Sequence, residues 1–186
     1  MPPIPRLTDR EFSSYLRAAR AGDEAAWREL YDWLAPQILG FLRSSGLPDP
    51  DDVLGDVFLD LARGVKDFKG NAKGFRALVF TIARARRVDE IRRLSRRSEE
   101  PLDTVVHELA PAGSDVEHEA LALVAFDDLL EILGQLTDDQ AEVLVLRALG
   151  GWTSREIGEI TGRSTGAVEQ LQHRATEALR ELLEAP

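Results

Sequence analysis

Between Arg76 and Arg97 the sequence carries eight arginines (76, 84, 86, 87, 92, 93, 96 and 97) against only Asp89 and Glu90, a local charge of +6. Guanidinium groups at that density attract phosphates, and their planar donor fork suits phosphate oxygens. Upstream, Asp52, Asp56 and Asp60 recur at four-residue steps, so a helix would stack three carboxylates along one face. Like charges at that spacing cost about 0.3 kcal/mol per pair, so the ladder does not serve helix stability. It suits a basic protein partner or an ordinary solvated face. A calcium loop counted from Asp49 fails, because Val53 and Leu54 stand where the fifth-position ligand and the sixth-position glycine belong. Catalysis has little to work with. The three histidines, 107, 118 and 173, lie far apart with no paired nucleophile or metal spacing, and the absence of cysteine excludes thiolate chemistry, disulfides and cysteine-ligated metal centres. No enzyme activity, cofactor or metal site is expected.

The stretch from Thr153 to Leu182 has the spacing of a helix-turn-helix, with small Gly158, Gly162 four residues later and Val168 six beyond that. Ser164 can cap a second helix whose apolar stripe is Val168, Leu171, Ala175, Leu179 and Leu182. Nucleic-acid binding is the leading reading, and an αα-hairpin with a glycine turn is the plainer one. From Ser164 to Leu179 a single Arg174 faces Glu169 and Glu177, so attraction to phosphate is weak there, with His173 adding charge only when protonated.

These sites must be held by helices, since no alternating strand pattern is present. Glu11 to Arg20 reads as a first helix. Asp23 caps a second through about Phe41, Asp51 to Val65 is a third, and Phe75 to about Arg96 a fourth. Further helical patterns cover Glu119–Leu133 and Asp138–Leu149, the latter with Thr137 as N-cap. Residues 98–117 hold two prolines, a glycine and six acids without a lysine or arginine, the composition of an extended acidic linker. Residues 1–114 carry 18 basic and 18 acidic side chains, while 115–186 carry five and fifteen, so the whole net charge of −10 is C-terminal. The expected fold class is all-α: a disordered start (1–9), a first helical domain (10–97), the linker (98–117) and a helix-turn-helix domain (118–184). No membrane span or signal peptide is expected, which points to a cytoplasmic protein.

Three ordered segments, PDDVLGDVFLDLARGV (50–65), FRALVFTIARARRVDEIRR (75–93) and LTDDQAEVLVLRALGGWTSREIGEITGRSTGAVEQLQHRATEALREL (136–182), resemble those of bacterial extracytoplasmic-function (ECF) sigma factors of the sigma-70 family. The resemblance implies a region 2-like domain and a region 4-like domain, with bacterial core RNA polymerase, promoter DNA and an anti-sigma factor as partners. Asp52, Asp56 and Asp60 would face the polymerase clamp helices, although Gly55 stands where the family usually has glutamine. The loop after the third helix and the fourth helix would capture a flipped base of the −10 element. Their candidate contacts are Lys66, Phe68, Lys69, Asn71, Lys73, Arg76, Phe80, Arg84 and Arg87, with Phe68, Phe75 or Phe80 as stacking faces. Phe75 begins an inward stripe with Leu78 and Ile82 and reads as core. Leu78 replaces an aromatic residue common in the family.

For the −35 element the resemblance implies Arg155, Arg163, Ser164, Thr165, Gly166, Glu169, Gln170, His173 and Arg174. Glu169 can accept from a cytosine amino group and Gln170 can pair with adenine. Glu169, Leu171 and Thr176 occupy positions where the family often carries basic residues, so this domain could instead contact mainly protein. The acidic linker resembles the family segment threaded through the RNA exit path, where carboxylates can mimic RNA. Two rivals stand beside the sigma factor: a sigma-like decoy that sequesters an anti-sigma factor, and a stand-alone regulator that would dimerise on a two-fold operator.

Overall fold

The computed structural model describes residues 7–98 and 132–184. Its elements are α1 (Asp9–Arg20), α2 (Glu24–Arg43), α3 (Pro50–Gly64), α4 (Ala72–Ser98), α5 (Asp138–Gly150), α6 (Ser154–Thr161) and α7 (Thr165–Glu184); among the described residues there is no strand. Most helix starts are written in the sequence. Thr8 and Glu11 form a capping box on α1, the Asp23 carboxylate accepts from the N–H groups of Ala25 (2.9 Å) and Ala26 (3.1 Å), and Asp49 accepts from Asp52 with Pro50 at the first helical position. Thr137 with Gln140 and Thr153 with Glu156 repeat the capping box on α5 and α6.

The expected helices hold with small shifts at their ends. Asn71 Oδ1 accepts from the Gly74 N–H at 2.9 Å, so α4 starts three residues before Phe75. Thr8 and Asp9, expected within a disordered start, instead open α1, because the capping box fastens them; residues 1–6 lie outside the described residues. The linker, and the helix expected over 119–133 as far as residue 131, also lie outside them.

α1 packs on α2, α2 on α3 and α3 on α4, around an aromatic centre in which Phe12 meets Trp33, Phe68 and Phe75 at ring-centroid distances of 6.1, 6.4 and 5.1 Å. α5, α6 and α7 form the second unit, closed over Val143, Leu146, Trp152, Ile157, Val168 and Ala175. Both expected helical domains are present, and they pack on one another through one hydrophobic core, with α5 on α2 and α6 on α4. This changes the inward face of α4. Phe75, Val79, Phe80 and Ala83 are fully buried while Leu78 and Ile82 are half-buried, because α4 is covered on two sides rather than one.

Candidate nucleic-acid interface

The acidic face of α3 divides into two parts. Asp52 and Asp56 are exposed along an open groove between α3 and α4 that Asp51, Leu59, Asp89, Glu90 and Arg93 also line. Asp60 lies at its edge and is already paired: Arg86 reaches it with both Nε (2.7 Å) and Nη2, and Arg63 Nη1 lies at 3.1 Å. The hydrogen bond from Arg86 holds the Asp60 carboxyl below the usual aspartate range. Two carboxylates of the ladder therefore face solvent, and the third ties α3 to α4. Leu59, 56% exposed, adds an apolar contact point to the same surface.

The loop between α3 and α4 is fastened from α1. Arg20 Nε donates to Val65 O at 3.0 Å, Arg20 Nη2 donates to Phe68 O, and the Asp9 carboxylate accepts from Ala72 N–H at 3.1 Å. Lys66, Lys69 and Asn71 project from this loop and are exposed. Phe68 turns inward instead, edge-on to Phe75 at 5.1 Å, and most of its surface is covered. Phe80 is 0% exposed, lying between Phe41 and Trp152 at 5.8 Å from each, so it presents no stacking face in this arrangement. The apolar neighbours that bury it come from both units.

The arginines of α4 do not form one patch, because helical rotation sends them to different faces. Arg86 goes to Asp60 on α3, and Arg93 pairs with Glu90 at 2.6 Å beside the groove. Arg76, Arg84 and Arg87 turn toward the C-terminal unit. Arg76 Nε donates to Gln37 Oε1 (2.7 Å), its Nη2 donates to Leu149 O (3.4 Å) and to Gly150 O, and its guanidinium lies 4.3 Å from the Trp152 ring. Arg84 Nε and Arg87 Nη1 both donate to Glu142 Oε1, at 3.0 and 2.8 Å. Lys73 pairs with Glu156. Glu142, Gln37 and Trp152 are the interface residues that sequence reading misses. The available signal was Glu142 itself, an acid in helical register with apolar Val145, Leu146 and Leu149.

In the C-terminal unit the turn between α6 and α7 is set by two glycines. A Cβ on Gly158 would lie 2.6 Å from the Arg163 carbonyl oxygen, and Gly162 has φ +73°, a left-handed conformation that ends α6. Ser164 caps α7 through the Ala167 N–H at 3.2 Å. Val168 and Ala175 are fully buried with Leu171 and Leu179 partly so, which leaves Thr165, Gly166, Glu169, Gln170, His173 and Arg174 together on the exposed side. Arg163 is turned away from that side to Asp139, and Arg155 pairs with Glu159 at 3.2 Å. His173 lies 3.4 Å from Glu177. Among the described residues no cluster of three or more acids and histidines could hold a metal, and no helix is long and apolar enough to cross a membrane.

Residues 28–97 match the family Sigma-70 region 2, and residues 132–181 match Sigma-70, region 4. The ECF RNA polymerase sigma factor ShbA of Streptomyces griseus is 31% identical, over 88% of this chain and 90% of that protein. The RNA polymerase sigma factor CarQ of Myxococcus xanthus is 31% identical, over 88% and 92%. The ECF RNA polymerase sigma factor SigD of Mycobacterium tuberculosis is 29% identical, over 96% and 87%. Two solved structures share the fold. CnrH in complex with the cytosolic domain of CnrY has a TM-score of 0.68 at 24% identity, covering 94% of this chain and 97% of that one. The sigma factor RpoE in complex with the anti-sigma factor NepR from Bartonella quintana has a TM-score of 0.65 at 21% identity, covering 86% and 97%. A helix-turn-helix behind an arginine-rich helix and an acidic one, matched over nearly its whole length by these relatives, makes the chain a member of the extracytoplasmic-function family of RNA polymerase sigma factors.

Proposed function

We propose that this sigma factor docks on core RNA polymerase through the exposed Asp52 and Asp56 of α3, and reads promoters with two separate surfaces. The loop 66–71 and α4 take the −10 element and assist strand opening, and the exposed side of α7 takes the −35 element. It works as a specificity subunit without catalysing a reaction, in the cytoplasm, under control of an anti-sigma factor. The observation that carries the docking assignment is the contrast along one ladder. Asp60 has found its arginines within the chain, whereas Asp52 and Asp56 are held at repulsive spacing with no salt-bridge partner among the described residues. A stand-alone regulator would have no use for that face.

The test is binding of the full chain to purified bacterial core RNA polymerase, beside Asp52→Arg/Asp56→Arg. Wild-type binding in the nanomolar range, weakened at least roughly a hundredfold in the variant, is the expected result, since reversing two charges at an interface turns attraction into repulsion. Equal binding by both proteins would remove α3 from the polymerase contact. On α7, Glu169→Lys is expected to strengthen binding to unrelated duplexes and to relax base preference, because it exchanges a base-edge acceptor for a phosphate contact.

A further inference from the structure

Four of the cations assigned above to the −10 strand, Lys73, Arg76, Arg84 and Arg87, are occupied by the chain's own C-terminal unit. Glu142 is 5% exposed and Arg87 8% exposed, and the single oxygen Glu142 Oε1 receives both Arg84 and Arg87. To a guanidinium, a carboxylate and a phosphodiester offer the same thing, an anionic oxygen that accepts charge-assisted hydrogen bonds. We propose that Glu142 is an internal phosphate surrogate: it fills the anion subsite of α4, so that the closed chain and the strand-bound chain exclude one another. The proposal rests on the reading of α4 as the −10 strand-binding helix.

The junction is built to release. Arg87 Nε and Trp152 Nε1 are buried there without a hydrogen-bond partner, and both return to water when the units part. A buried ion pair gains little over two solvated charges, so Glu142 fixes which arrangement forms without locking it. The units also approach closely at Gly40 of α2, where an added Cβ would lie 3.2 Å from Leu149 Cδ1. A long side chain at that point is expected to crowd Leu149 and push α2 from α5 while leaving Glu142 and its two arginines unsubstituted. Because only the open fraction binds strand, the closed state lowers the apparent affinity by that fraction.

The absence of cysteine lets a pair be introduced at exposed Glu29 and Arg180 and spin-labelled in the full chain. Pulsed electron-paramagnetic-resonance distances are then read alongside binding of a fluorescein-labelled mixed-sequence 15-nucleotide DNA strand. The wild type is expected to give one narrow distance. Glu142→Gln, which leaves Arg87 uncompensated, and Gly40→Gln, which opens the junction sterically, should broaden and lengthen it. Both should bind the strand about tenfold more tightly. A broad distance in the wild type, or variants that open without tighter binding, would overturn the proposal. Arg84→Ala/Arg87→Ala placed in the Gly40→Gln background separates it from the reading beneath. Weakened binding there keeps α4 as the strand helix whatever happens to Glu142, and unchanged binding removes that reading and the surrogate together.

Discussion

Glu156 shows how one side chain can serve a helix and a junction at once. Its Oε2 accepts from the Thr153 N–H and hydroxyl, each at 2.9 Å, closing the capping box of α6, while Oε1 meets the Lys73 ammonium of α4. Burial alone would raise its pKa, but Lys73 and Thr153 outweigh it and pull the carboxyl down from 4.5 to about 2. Its folded-state pKa is thus depressed. The stability it supplies is present above about pH 4.5 and is lost as pH falls toward about 2. Glu156→Gln keeps the capping geometry and loses the charge, with a cost of about 1 kcal/mol at pH 7. Urea midpoints at pH 7, 4.5 and 3 are expected to converge for the two proteins, because Glu11 and Asp60, also lowered, titrate alike in both. A gap that stays constant down to pH 3 would refute this. The sequence disclosed the local half of this arrangement, since Thr153 and Glu156 are three residues apart. It did not disclose Lys73, 83 positions upstream, nor that Asp60 would find Arg86 while Asp56 has no salt-bridge partner among the described residues.

At the scale of elements, legibility follows locality again. The helix-turn-helix could be read from the spacing of Gly158, Gly162 and Val168 because every constraint lies within six residues of the next. At Gly158 the obstacle to a side chain is backbone, the Arg163 carbonyl 2.6 Å from a Cβ, and backbone cannot rotate aside. Gly158→Ala is therefore expected to destabilise the C-terminal unit by about 1–3 kcal/mol, the usual cost of overpacking a tight contact. Gly162→Ala, at φ +73° with open space around it, should cost about 1–2 kcal/mol from backbone strain alone. Thermal unfolding of the two variants checks this, and a Gly158→Ala protein within roughly 0.5 kcal/mol of wild type would show that the two helices do not cross as described. α4 was harder to read. Its pattern suits a helix with one apolar side, yet two neighbours cover it, so Phe80 and Arg87 are buried where sequence alone places them on a DNA-facing surface.

The whole molecule turns on a charge asymmetry that was plain in the sequence and a docking that was not. The C-terminal excess of acids and the cations of α4 are complementary, and they meet at Glu142, which receives Arg84 and Arg87, and at Glu156, which receives Lys73, but composition cannot say whether a basic helix will be met by DNA or by its own chain. Because the two units share one core, their stabilities are coupled. Native-state hydrogen exchange can read that coupling residue by residue. In the wild type the core amides of Val143 and Val168 should draw protection from contact with α2 and α4 in addition to their own unit. Gly40→Gln is expected to loosen that contact while leaving the interior of both units unsubstituted, and protection at Val143 and Val168 to fall about tenfold, equivalent to about 1.4 kcal/mol. Val57, on α3, which packs on α2 and α4 rather than on the C-terminal unit, should change much less. Equal protection in both proteins would mean that the C-terminal unit is stable by itself and that closure contributes nothing to it. A fall confined to α5, α6 and α7 would show that the C-terminal unit gains stability by covering α4.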